Sequence, residues 1–133
     1  MVFLLIFTAI LLTAAICDIK TRLIPPVIPI LLCASAIFSP SVALWQRILG
    51  GVIAGAVLLI PTLIISNAFG GGDIKLVAAC GFVLGAQPAI FALLVALALS
   101  LAPCLYYRLT KKQTHIAFAP YLAAGFTLAA LLF

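Results

Sequence analysis

Acidic residues are almost missing from this 133-residue chain, which has two aspartates, no glutamate and seven Lys or Arg residues. Charged residues make up 7% of the chain and hydrophobic residues 68%, with a mean hydropathy of +1.47. This composition excludes an ordinary soluble domain and predicts a membrane protein. Because the apolar runs are continuous rather than alternating, they exclude a membrane β-barrel and predict an all-α bundle.

The chain also lacks the common metal and nucleotide motifs. Its cysteines, Cys17, Cys33, Cys80 and Cys104, lie in apolar segments without CxxC spacing, and His115 has no ligand partner in sequence. These patterns predict buried free thiols, an interfacial histidine, and neither a metal nor a cofactor. The glycine run lacks the G-K-[ST] ending of a phosphate loop, and the scattered basic residues lack interleaved aromatics, so nucleotides and nucleic acids are disfavoured.

Turn residues divide the apolar sequence into about six transmembrane helices, which we expect to form one domain over residues 1–133. Three prolines begin the second helix, Gln87-Pro88 ends the fourth, and Gly51 and Gly55 in the third favour close helix packing. The predicted helices are 1–17, about 25–38, about 47–66, 73–86, 89–107 and a last one that ends at 133.

The distribution of basic residues predicts the orientation in the membrane. With six helices, only Arg47 lies at one end, whereas the other end holds Lys20, Arg22, Lys75, Arg108, Lys111 and Lys112. The positive-inside rule places the second end in the cytoplasm and both termini outside an inner (plasma) membrane. No basic residue precedes the first helix, which is typical of an uncleaved helix rather than a signal peptide.

The two aspartates occupy related positions beside apolar segments. Asp18 ends the first helix, Asp73 follows three consecutive glycines, and each aspartate is followed two positions later by a lysine. The glycines predict unwound backbone, which a bilayer tolerates only where it is buried in protein or lines a wet cavity. We therefore expect both carboxylates to lie at one internal site facing the cytoplasm.

Two carboxylates that lie close together share a proton, so one can act as a general base and the other as a general acid. Because Asp73 opens a helix and Asp18 follows the end of one, helix dipoles predict Asp73 as the resting carboxylate and Asp18 as the acid. Spacing alone leaves two alternatives open. The aspartates could cap helices or pair with Lys20 and Lys75, or they could serve ion-coupled transport, although the outer helix halves offer almost no polar path.

Three motifs carry a resemblance to a known family. They are Asp18 followed by Ile24-Pro25-Pro26, then Gly70-Gly71-Gly72-Asp73, and Phe118-Ala119-Pro120-Tyr121-Leu122. At these residues the chain resembles the prepilin peptidases, membrane aspartic proteases of the GxGD type that include the preflagellin peptidases. Two departures are Pro26, where the family usually has Asn, and Ala119, where it usually has Gly.

The resemblance implies that Asp18 and Asp73 are catalytic. It implies that the substrates are prepilin-like or preflagellin-like precursors, whose short basic leader is removed on the cytoplasmic side, typically after a Gly. Residues expected to bind substrate or shape the site are Gly70, Gly71, Gly72, Lys20, Lys75, Ile24, Pro25, Phe118 and Pro120.

Larger members of that family carry an N-terminal segment with paired cysteines and an N-methyltransferase activity. The resemblance therefore implies peptidase activity without methylation for this chain. A presenilin-like protease that cuts within other membrane helices and a non-catalytic scaffold of a pilus assembly machine stay open as alternatives.

Overall fold

The computed structural model describes residues 1–39, 41–66, 69–110 and 117–133, and these ranges contain helices and no strand. The helices are α1 (Val2–Thr21), α2 (Val27–Ser35), a short 3-10 helix (Ala36–Phe38), α3 (Leu44–Ile64), α4 (Gly71–Leu84), α5 (Ala86–Leu109) and α6 (Ala119–Leu132). The all-α prediction is confirmed. The predictions for Lys111, Lys112 and His115 concern residues outside the described ranges.

The helices are apolar enough for a membrane but differ in length. α1, α3 and α5 are each long enough to cross it, whereas the α2 segment and α6 are shorter apolar helices. α4 has 14 residues and extends about 21 Å at ~1.5 Å per residue. Since the hydrocarbon core of a bilayer is about 30 Å thick, α4 is shorter than a straight membrane span.

The helices form a closed ring in the order α1, α6, α5, α3, α4, α2, and α4 also touches α5 and α6. Its core is formed by fully buried apolar side chains, the largest being Phe7, Leu11, Leu76, Leu122 and Phe126. Because successive helices reverse direction, the end of α1 and the starts of α4 and α6 lie together at one end of the bundle. Both aspartates are on these segments.

The first helix is longer than the sequence predicted. α1 continues to Thr21, so Asp18 lies within its last turn rather than after it. The helix ends because Arg22 takes the left-handed conformation, with φ of 54°, and its N–H bonds to the Asp18 carbonyl at 2.9 Å. This is a common way to end an α-helix.

The prediction of an unwound glycine loop is wrong. Gly70 is the extended residue before α4, and Gly71 and Gly72 belong to the first turn of that helix. None of the three glycines has a positive φ. α4 therefore has the predicted length but begins two residues earlier, with Asp73 in its first turn.

The junction between α4 and α5 also differs from the prediction. Gly85, with φ of 90°, ends α4, because only glycine readily adopts that conformation. Pro88 does not stop a helix but lies in the first turn of α5, where its missing N–H costs nothing. α5 consequently begins at Ala86 rather than at residue 89.

The G-x-x-x-G spacing correctly predicts close packing of α3. A Cβ added to Gly51 would lie 3.2 Å from the Ala78 carbonyl oxygen, and one added to Gly55 would lie 3.3 Å from the Ala78 Cβ. The nearest approach, however, joins Gly50 to Gly81, where a Cβ on either residue would overlap the backbone of the other. α3 and α4 thus pack almost backbone against backbone.

The described cations are arranged at the two ends as predicted, but Arg47 is buried. Exposed cations at the aspartate end are Lys20, Arg22, Lys75 and Arg108. At the opposite end, Arg47 is 7% exposed; its Nε donates to the Val42 carbonyl at 3.1 Å and its Nη2 donates to the Ser39 carbonyl. Arg47 therefore stabilises the turn before α3 instead of lying free at the membrane surface.

All four cysteines are free thiols, but only one is fully buried. Cys80 lies in the core and Cys17 is half-buried, whereas Cys33 and Cys104 are exposed on outward faces. The prediction of burial is therefore wrong for Cys33 and Cys104. Apolar neighbours in sequence do not indicate an inward position here, because a membrane helix is apolar on its lipid face as well.

Candidate active site

Asp18 joins the end of α1 to the start of α6. Its side chain is 7% exposed, and its Oδ2 accepts a hydrogen bond from the Ala119 N–H at 3.1 Å. Ala119 is the first residue of α6, whose N–H has no partner within the helix. Asp18 thus caps the N-terminus of α6 by accepting its free N–H. Helix capping was one of the alternatives that the sequence allowed for the aspartates.

Asp73 is buried at the start of α4, beside Gly70. Its side chain is 9% exposed, and its backbone N–H bonds to the Gly70 carbonyl at 3.1 Å. The carboxyl Oδ1 is buried and has no hydrogen-bond partner in the part of the chain that the structure describes. Buried polar atoms of this kind are rare because they cost free energy, so Oδ1 calls for an explanation beyond folding.

The two carboxylates interact with each other. Asp18 lies near enough to Asp73 for its charge to act on the second carboxyl group. Lys20 and Lys75 have exposed side chains, whereas Asp73 is buried. The structure therefore brings the two aspartates together and does not support pairing of Asp73 with a lysine.

The three glycines before Asp73 have different surroundings. A Cβ on Gly72 would lie 3.1 Å from the Ile24 Cβ, whereas one on Gly71 would meet nothing within 4 Å. A Cβ on Gly70 would lie 3.5 Å from the Asp73 Oδ2, which is an ordinary contact. Gly72 is thus the glycine that lets the chain after α1 pack against the start of α4.

We expect Gly71→Ala and Gly72→Ala to behave differently. Gly71→Ala should leave activity within about twofold and raise helix stability slightly, since Gly costs roughly 0.5–1 kcal/mol relative to Ala in a helix. Gly72→Ala should lower activity more, because its methyl group pushes Ile24 away from α4. Initial cleavage rates and thermal unfolding of both variants test this. Equal effects of the two substitutions would show that the Ile24 contact does not matter.

The other residues predicted from the motifs lie in the turns beside the aspartates. Pro25 is exposed, and its carbonyl accepts the Ile28 N–H at 3.1 Å in the turn that leads into α2. Pro26, which stands where the prepilin peptidases usually have Asn, is the exposed residue before α2. Phe118 and Pro120 are half-buried at the start of α6, next to the residue that binds Asp18.

Sequence reasoning missed Phe69. Its ring lies 5.2 Å from that of Phe118, measured between centroids, with an angle of 49° between the planes. The contact joins the residue before Gly70 to the residue before Ala119. An aromatic residue directly before the glycine run was the sequence feature that could have drawn attention to it.

The described residues contain no group of three or more His, Cys, Asp or Glu side chains that could hold a metal ion. What they provide at this end is a pair of buried, interacting carboxylates. Fold and site together define a helical membrane protein whose two aspartates are brought together by α1, α4 and α6.

Comparison with known proteins identifies the family. The model of the type IV leader peptidase family matches residues 5–105, and the chain belongs to this family. It is also 37% identical, over 134 residues, to the prepilin leader peptidase/N-methyltransferase of Bacillus subtilis (strain 168). That alignment covers 95% of this chain and 54% of the relative, so the chain spans about half the length of that protein. No solved structure matches the chain significantly.

Proposed function

We propose that this chain is a membrane aspartic endopeptidase that removes the short basic leader from prepilin-like or preflagellin-like precursors. The observation that carries the proposal is the buried pair of interacting carboxylates, of which Asp73 keeps an oxygen without a hydrogen-bond partner. The family and the name of the Bacillus subtilis relative support the substrate class. The described chain would act as a single peptidase domain.

In the proposed reaction the two aspartates handle the protons of hydrolysis. One carboxylate removes a proton from a water molecule as its oxygen attacks the peptide carbonyl carbon. The other, protonated carboxyl group donates its proton to the developing oxyanion. As the C–N bond breaks, the first carboxyl group passes the proton it took from water to the leaving amine, and a hydroxyl proton of the intermediate returns to the second carboxylate. No side-chain nucleophile is needed, and each turnover consumes one water molecule.

The local contacts favour Asp18 as the base and Asp73 as the acid. The Ala119 N–H supports a negative charge on Asp18, whereas the Asp73 Oδ1 has no hydrogen-bond partner among the described residues and can carry the shared proton. This reverses the assignment made from helix dipoles alone. The dipole argument did not include the N-terminus of α6, whose positive end lies beside Asp18 and offsets the unfavourable end of α1.

We place the aspartate end of the bundle in the cytoplasm and both termini outside. Exposed Lys20, Arg22, Lys75 and Arg108 lie at that end, and the described cation at the other end, Arg47, is buried. Cations flank the cytoplasmic ends of membrane helices, so this distribution supports the orientation. A leader peptide that has not crossed the membrane would meet the aspartates there.

Sealed vesicles test both the reaction and its side. A synthetic precursor with a basic leader, a Gly and an apolar helix should be cleaved after the Gly by inverted vesicles, and not by right-side-out ones. EDTA should leave the rate unchanged, because the mechanism uses carboxylates alone. The Bacillus subtilis relative serves as the positive control. If it cleaves the precursor and this chain does not, the proposed function is wrong; cleavage only by right-side-out vesicles would reverse the orientation.

A further inference from the structure

The helices that carry the two aspartates are not held together by packing along their lengths. α1 packs mainly on α6 and α2, whereas α4 packs mainly on α3 and α2, and α1 and α4 make at most a slight contact with each other. All of these helices are fully described. α2 and α6 each contact both α1 and α4, so the distance between Asp18 and Asp73 depends on these two helices and on the contacts at this end of the bundle.

The contact between Phe69 and Phe118 lies where such a constraint is needed. Phe69 directly precedes Gly70, whose carbonyl accepts the Asp73 and Ile74 N–H groups at 3.1 and 3.3 Å. Phe118 directly precedes Ala119, whose N–H binds the Asp18 carboxylate. The two rings thus connect the backbone segment that holds one aspartate to the segment that holds the other.

Both rings are half-buried and pack against the core of the bundle. Their centroid separation of 5.2 Å lies within the range in which aromatic pairs attract each other. α4 and α6 otherwise contact each other only slightly. The aromatic contact therefore adds a second connection between the start of α4 and the start of α6.

We propose that Phe69 and Phe118 form a positioning pair that sets the separation of Asp18 and Asp73. The pair acts through the backbones of Gly70 and Ala119. The claim that the pair sets this separation does not depend on the proposed function. The claim that the pair affects cleavage rests on that function. Small misplacements of catalytic groups are costly, because proton transfer requires hydrogen-bond distances.

Kinetics of Phe69 variants give the first test. Phe69→Ala should lower kcat roughly tenfold with KM changed less than about twofold, because it misplaces catalytic groups rather than removing a substrate contact. Phe69→Tyr keeps the ring and should restore kcat to within about twofold. The matched control is Phe91→Ala, which removes a similar pair, Phe91 and Phe133 at 5.7 Å, at the opposite end. It should leave kcat within about twofold.

A distance measurement tests the pair without any substrate. Spin labels would replace the exposed Lys20 and Lys75 in protein whose four native cysteines have been substituted. Phe69→Ala should lengthen or broaden the distance distribution between the labels, and Phe91→Ala should leave it unchanged.

The cleavage kinetics and the spin-label distances test the proposed function and the positioning role separately. An unchanged distance distribution in Phe69→Ala would overturn the positioning role, as would a raised KM with unchanged kcat, which would make Phe69 a substrate contact. If the wild-type protein cleaved no precursor, the proposed function would fail, and the spin-label distances would still decide whether Phe69 and Phe118 hold the two segments together.

Discussion

Asp73→Asn is expected to reduce cleavage by on the order of 10²- to 10⁴-fold, the usual contribution of a general acid or base. The amide has nearly the shape of the carboxyl group but cannot donate an acidic proton to the developing oxyanion. The chain has no third carboxylate that could take over, since its two aspartates are its only acidic side chains. Single-turnover rates with the synthetic precursor measure the loss.

The same variant should remain folded, which separates a chemical role from a structural one. Within the described ranges the Asp73 Oδ1 has no hydrogen-bond partner to lose, so we expect the free energy of unfolding to change by less than about 1 kcal/mol. Activity near that of the wild type would refute the two-aspartate mechanism. A fully unfolded Asp73→Asn protein would instead point to a structural carboxyl group.

Variants of Asp18 can separate its structural role, which is to accept the Ala119 N–H, from its chemical role in cleavage. Asp18→Asn keeps an oxygen that can accept the Ala119 N–H, whereas Asp18→Ala leaves this buried donor without an acceptor, at a cost of about 1–3 kcal/mol. Both variants should lose cleavage, and only Asp18→Ala should lose stability. A scaffold protein would show the opposite pattern, with function following stability.

Membrane helices and the shared end of the aspartates could be predicted because both depend on patterns along the chain. Continuous apolar runs of about 20 residues indicate spans, and alternation of direction brings every second turn to the same side. Asp18 and Asp73 follow the first and third runs, so an even number of crossings separates them. Their approach could therefore be expected without knowledge of the packing.

Contacts between helices could not be predicted in the same way. A membrane helix is apolar on every face, so the sequence did not distinguish buried Cys80 from exposed Cys33. It likewise did not show that the start of α6 supplies the donor for Asp18, which lies 101 residues earlier in the chain. For this reason the proposed acid and base are the reverse of those predicted from the dipoles of α1 and α4 alone.

At the glycine run, the low helix propensity of glycine does not decide the backbone conformation. Consecutive glycines have low helix propensity, and that favoured an unwound loop. In the structure, Gly71 and Gly72 nevertheless form the first turn of α4. Gly72 is needed for a different reason, the approach of Ile24, which is a tertiary contact rather than a backbone preference.

Gly81→Ala is expected to lower the stability of the protein, because Gly81 lies in close contact with Gly50. The added methyl group would overlap the Gly50 carbonyl and lie 2.7 Å from the Ala54 Cβ, so α3 and α4 would have to separate. We expect the free energy of unfolding to fall by about 1–3 kcal/mol, the usual cost of overpacking a tight core. Because α4 also carries Asp73, cleavage should decrease as well.

Gly71→Ala is the matched control for Gly81→Ala, since it adds the same methyl group to the same helix where nothing lies within 4 Å. Unfolding of both variants in mixed micelles, followed by the change in helix signal as denaturing detergent is added, compares their stabilities. Gly81→Ala should unfold at lower denaturant than Gly71→Ala and the wild type. Equal midpoints for the two variants would show that α3 and α4 do not approach as closely as the Gly50 to Gly81 contact requires. A midpoint lowered only in Gly81→Ala, together with slower cleavage, would show that the packing of α3 on α4 keeps Asp73 in place.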